Sequence, residues 1–213
     1  MTIDQPLPVL SGLAALGAAW AAWARPGSGA ERGLKAAAIG ALALYAYLRG
    51  MAPGALGIAL VLSAGAQLMP PRERNGWTTS NSLLHFGAWI AFAYLLLREG
   101  GGRAALADPA HAGPIALALL AAGLVLARLW RGIGEARMSA ATDLGALLLM
   151  VGAAFTLRFD LWPAMAGAAA VFIAELVALW RSFRPEPRSR PLPTALWLLN
   201  YAGQAAIASV FVH

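Results

Sequence analysis

The sequence predicts an all-α polytopic membrane protein, an eight-transmembrane-helix bundle forming a single integral membrane domain over residues 1–213. Three observations predict it. The chain is 60% hydrophobic and 12% charged, whereas a soluble domain usually carries about 25% charged residues. Its apolar residues fall into eight runs of near-helical membrane length. Its Lys and Arg residues collect in alternate connectors between those runs.

The runs lie near 7–24, 33–48, 54–69, 82–97, 114–130, 141–157, 162–180 and 194–212. A hydrocarbon core asks for about 20 helical residues, so several are slightly short. The first run has a small-x-small site in "AWAR", but Asp4 and no basic residue precede it. A secretory leader needs a positive n-region, so the run is read as a span rather than a cleaved signal. The second opens on Lys35 and closes before Arg49, and the third carries Ser63 and Gln67 one turn apart. The fourth opens on Ser82 and His85. The sixth opens on Ser139 and Asp143, and contains Gly145 and Gly152 two turns apart on one small-residue face. The seventh contains Glu175 inside "VFIAELVALW", and the eighth contains "WLLNYAGQ". The longest connectors, near 70–81, 98–113 and 181–193, are rich in Pro, Gly and Arg, and "EGGGR" reads as a flexible loop.

Orientation follows from the basic residues. The odd connectors hold Arg25, Arg32, Lys35, Arg72, Arg74, Arg128, Arg131, Arg137, Arg181, Arg184, Arg188 and Arg190. The even ones hold only Arg49, Arg98, Arg103 and Arg158. The bias places odd connectors in the cytoplasm and both termini outside, in an integral protein of the plasma (inner) membrane. The formal charge of +6 is therefore a topology signal. It forms no aromatic-interleaved patch, and nucleic acid is not an expected partner.

In this frame the polar residues share one depth. Glu175 lies roughly 6–9 Å from the cytoplasmic end of its span at 1.5 Å per residue. Lys35, Ser63, Gln67, Ser82, His85 and Asp143 fall in the same inner portion. Trp197, Asn200, Tyr201 and Gln204 form one i, i+3, i+4, i+7 stripe. Intramembrane ionisable groups usually face a bundle interior or a wet cavity, so this layer predicts a polar cavity open to the cytoplasm.

Each residue has a structural alternative. Lys35 can snorkel to the interface, Asp143 can answer a helix N-terminus, and His85 can be an interfacial histidine. Gln67, Asn200 and Gln204 can bind helices together, and Trp197 and Tyr201 can be core aromatics. Glu175 is the hardest to dismiss, because an acidic residue at a span centre costs about 2.5–3.5 kcal/mol on insertion scales. Its structural alternative is a pair with Lys35 or an Arg.

Several chemistries are excluded. Cysteine is absent, and the three histidines, His85, His111 and His213, are dispersed, so no metal site or cofactor is expected. No GxSxG, HExxH or P-loop pattern occurs. Acid–base chemistry by a carboxylate with amide, imidazole and amine helpers remains.

The ordered blocks "RGLKAAAIGALALYAYL", "LSAGAQLMP", "LLHFGAW", "GAAAVFIAELVAL" and "NYAGQAAIA" resemble the YhhN-like lysoplasmalogenase family, over nearly the whole chain. The resemblance implies eight spans and hydrolysis of the vinyl-ether bond of a lysophospholipid to a fatty aldehyde and a glycerophospho-alcohol. It implies catalytic positions at Glu175, Gln67 and His85, and substrate-binding positions at Lys35, Asn200, Tyr201 and Gln204; Asp143 joins the substrate-binding candidates from its shared depth, not from the resemblance. The family's first Asp is replaced here, by Gln67 or by Ala66 depending on whether Ser63 or Gly65 anchors the match. The Ser before its second Asp is Ala174, and that Asp is Glu175. Asp143 or His85 would have to supply the missing acid–base group. A membrane lipid or lysolipid is the expected partner. The competing readings are a catalytically altered member that binds or transports a small lipid or other ligand, and a structural membrane protein.

Overall fold

The computed structural model describes residues 6–51, 54–69, 79–183 and 191–212. Among the described residues every regular element is helical. The helices are α1 (Pro6–Ala24), α2 (Gly29–Ala46), α3 (Ala55–Leu68), α4 (Thr79–Glu99), α5 (Gly102–Ala105), α6 (Pro109–Ile133), α7 (Arg137–Ala154), α8 (Trp162–Ser182) and α9 (Pro191–Phe211). Three continuous helical stretches are long and apolar enough to cross a membrane by length and composition: Pro6–Ala24, Pro109–Ala154 and Phe159–Ser182.

The longest stretch is a hairpin. Gly134 takes φ +64°, a conformation that suits glycine, and breaks the run between α6 and α7. His111, at the start of α6, then meets the carbonyl of Phe155, just past the end of α7, at 2.7 Å. The two helices therefore run antiparallel.

Several helices begin before their apolar runs, because polar caps extend them. Ser28 accepts from the Glu31 N–H at 3.2 Å and starts α2 ahead of residue 33. Asp108 accepts from the Ala110 N–H at 2.9 Å, with Pro109 at the first helical position of α6. The one-turn α5 begins inside the glycine segment expected to be a flexible loop, and Gly101 N–H donates to the Thr156 carbonyl at 2.7 Å.

Packing closes a ring in the order α1, α2, α3, α4, α7, α8, α9, with α9 returning to α1 and α2. α6 lies outside, against α7 and α8. The core is built from Ile39, Leu56, Leu60, Trp89, Phe92, Met150, Val171 and Ile207. The outer surface is as apolar: Trp20 is 72% exposed and Leu117 67%. Such side chains suit a lipid environment, where exposed Leu and Trp carry no hydration penalty.

α8 and α9 approach closely enough for backbone to meet backbone. A Cβ built on Gly167 would sit 2.5 Å from the Gly203 carbonyl oxygen, and one on Gly203 would sit 2.5 Å from that of Gly167. Gly145 and Gly152 do not serve this purpose, since a Cβ on either meets nothing within 4 Å.

Candidate active site

The direction of each helix sets which side chains meet. Ser82 near the start of α4 bonds Asp143 near the start of α7, so these two helices run parallel. The second half of α8 and the middle of α9 meet through Glu175 and Asn200. The N-terminal ends of α2, α4 and α9 and the C-terminal ends of α3 and α8 thus gather at one end of the bundle, where they enclose a cavity of about 400 Å³. That lies within the usual range of ligand sites, about 300–1,000 Å³.

Lys35, Gln67, His85, Glu175 and Asn200 line it. Asn200 Nδ2 donates to Glu175 Oε1 at 2.6 Å, and Gln204 Nε2 donates to Asn200 Oδ1 at 2.6 Å. Gln204 is 1% exposed and lies one turn beyond Asn200, so it supports the amide rather than lining the space. Tyr201 also stands back from the cavity. Its hydroxyl is 2.6 Å from Ser11 Oγ on α1, and its ring stacks on Trp197 at 5.7 Å. Trp197 itself lines the cavity, and Lys35 Nζ lies 5.4 Å from its ring centroid.

The Lys35 ammonium is engaged by Glu31, one turn earlier on α2. Glu31 also accepts from the Gly27 N–H at 2.6 Å. Sequence reasoning missed Glu31 as a cavity residue, although the Ser28-x-x-Glu31 capping pattern and the i, i+4 spacing to Lys35 both pointed to it. It also missed Asn81, Arg32 and Arg181. The two arginines had been read only as topology signals.

Asp143 does not line the main cavity. It is buried, accepts from Ser82 Oγ at 2.6 Å, and Ser82 in turn accepts from Ser139 Oγ at 2.6 Å. A small void of about 20 Å³ touches both Asp143 and Glu175. Glu175 therefore stands between the main cavity and Asp143. His85 packs its ring 5.7 Å from that of Trp89. Ala66 and Gln67, the two candidates for the replaced family Asp, both line the cavity. His111 lies at the opposite end of the bundle, 4.6 Å from the Phe159 ring, and His213 is outside the described residues.

Fold and site together define a helical membrane protein with an ionisable cavity at one end. No curated protein and no solved structure matches the chain. The sequence model of the YhhN family, however, matches residues 8–211, and the chain belongs to that family. The YhhN family is the lysoplasmalogenase family.

Proposed function

We propose that the protein is a lysoplasmalogenase-like hydrolase, cleaving the vinyl-ether bond of a lysophospholipid. The observation that carries this is Glu175 at the wall of the cavity, oriented by the Asn200–Gln204 amide chain. In this reading the eight long helices cross the membrane, the cavity end faces the cytoplasm and the alkenyl tail lies between helices.

The chemistry runs on one carboxyl group. Glu175, as the acid, gives its proton to the vinyl carbon distal to the ether oxygen. The carbon attached to oxygen becomes an oxocarbenium ion, and the new carboxylate beside it stabilises the charge. Water adds to that carbon and returns its proton to Glu175, leaving a hemiacetal. A proton moves from the hemiacetal hydroxyl to the glyceryl oxygen, and the C–O bond breaks to aldehyde and glycerophospho-alcohol. Gln67 cannot exchange a proton at this pH range and is assigned the orientation of the water. His85 is assigned the hemiacetal proton transfer. Lys35 holds the substrate's polar end and Asn200 positions the Glu175 carboxyl, while Asp143, Tyr201 and Gln204 support the wall behind it.

The replaced family Asp favours one second reading, a member that binds or transports a small lipid without turnover. Both are tested by incubating the purified protein with vinyl-ether and ester lysolipids and following aldehyde and fatty-acid release. Aldehyde release is expected from the vinyl ether. Glu175→Gln should reduce it by about 10²–10⁴-fold, the usual worth of a general acid, while inserting at normal levels. Gln67→Asp should leave it unchanged or increase it. Binding with no aldehyde under any condition would select the second reading, and full turnover in Glu175→Gln would reject the mechanism.

A further inference from the structure

Among the described residues, the charges lining the cavity do not balance. Arg32 on α2 and Arg181 on α8 both line it, and both side chains are half-buried. Arg32 Nε and Arg181 Nη1 are each buried without a hydrogen-bond partner, and among the described residues neither guanidinium forms an ion pair. A guanidinium does not shed its proton, so it cannot relieve burial by becoming neutral as a lysine can. Two such groups, brought to one cavity by separate helices, suit an anion between them, and planar paired donors suit phosphate oxygens.

The remaining groups decide what else that anion carries. A zwitterionic head, such as phosphocholine or phosphoethanolamine, brings an ammonium that needs a carboxylate or an aromatic face. Glu31 is already taken by Lys35 and the Gly27 N–H. The Trp197 face is already taken by Lys35. Glu175 holds its amide bond to Asn200 and is reserved for proton transfer in the mechanism above. Among the described lining residues the cationic groups are in excess, and the carboxylates and the Trp197 face suited to an ammonium are committed.

We propose that Arg32 and Arg181 form an anion clamp that selects lysolipids whose head is negatively charged overall, such as a phosphate monoester or phosphoglycerol, over zwitterionic ones. The proposal rests on the lysolipid reading for the occupant of the cavity, and it assigns the head-group specificity of that site. The shared chemistry is the phosphate group, which a soluble phosphate ester also carries.

The test uses the full chain in nanodiscs of phosphatidylcholine and non-cleavable 1-alkyl lysolipids of one tail length. The heads are phosphate, phosphoglycerol and phosphocholine, with alkylglycerol as the neutral control and glycerol 3-phosphate as the head alone. The phosphate and phosphoglycerol lipids are expected to bind at least about tenfold tighter than phosphocholine, and alkylglycerol weakest. Arg32→Gln and Arg181→Gln should each erase about tenfold of the preference, the scale of one charge-assisted contact. Arg181→Lys, which retains the charge, should keep part of it and guards against a folding defect, which a melting curve would reveal. Equal binding of all three phosphate heads, or tighter phosphocholine binding, would overturn the clamp. Glycerol 3-phosphate binding as tightly as the lipids would overturn the lipid assignment in favour of a soluble phosphate. Because alkyl ethers are not cleaved, failure of the hydrolase reading appears separately, as head-selective binding without aldehyde release from vinyl ethers.

Discussion

At the scale of single residues, Glu175 was legible because a carboxylate in an apolar helix demands a reason, and the cavity beside it supplies one. Arg32 and Arg181 were not, because an arginine near a span end is already explained by topology, so a second role leaves no mark in the sequence. The α9 stripe was half legible. A stripe one residue wide on a helix faces one direction, but it descends 1.5 Å per residue, so its deeper members pass the cavity floor. Asn200 reaches Glu175, whereas Gln204 reaches only Asn200. In the proposed mechanism this relay makes Asn200 a positioning residue with a specific signature. In Asn200→Ala the vinyl-ether turnover number should fall about 10–100-fold, the worth of a hydrogen bond to an ionisable group, with KM little changed. Gln204→Leu, one step further out, should fall less. A rise in KM at constant kcat would instead assign Asn200 to substrate binding.

At the scale of helices, apolar runs located the elements but not their ends. Ends are set by capping groups such as Ser28 and Asp108, whose hydrogen bonds carry helix past the last lipid-compatible residue. Nor did small-residue spacing reveal which helices pack closest. In a chain with 23 glycines, many pairs have the right period. Only partner geometry singles out Gly167 and Gly203, where backbone meets backbone. That contact fixes the register of α8 on α9 and so brings Glu175 to Asn200. Gly167→Ala should therefore destabilise the protein by about 1–3 kcal/mol, as overpacking does, and reduce turnover by displacing that pair. Gly145→Ala, with open space around its Cβ, should be neutral or slightly stabilising because it removes a helix glycine. Thermal melting in detergent compares the two, and equal melting temperatures would show that the α8–α9 contact yields without cost.

At the scale of the whole molecule, packing sets which helix ends share a side of the bundle, and the basic residues supply the proposed orientation. Gly27, just after α1, and Glu31, early in α2, border the cavity, so α1 begins at the far end. α9 starts beside the cavity at Pro193 and Leu196 and ends away from it at Phe211. Both described ends of the chain thus point to the end opposite the cavity. Among the described residues, the basic Arg32, Lys35 and Arg181 lie at the cavity end. In the orientation proposed from the positive-inside rule that end would be cytoplasmic, the substrate would enter from the inner leaflet and both termini would lie outside. A reporter active only in the cytoplasm should be silent when fused after His213, and an export-dependent enzyme fused there should be active. Placed in the α6–α7 turn at Gly134, the two reporters should exchange behaviour, because His111 meeting Phe155 requires the chain to reverse there. Cytoplasmic activity at the C-terminus would invert the orientation and place the arginine-lined cavity on the outer face. The head-group clamp would survive that result, since it depends on local charge, but the leaflet that supplies its lipid would change.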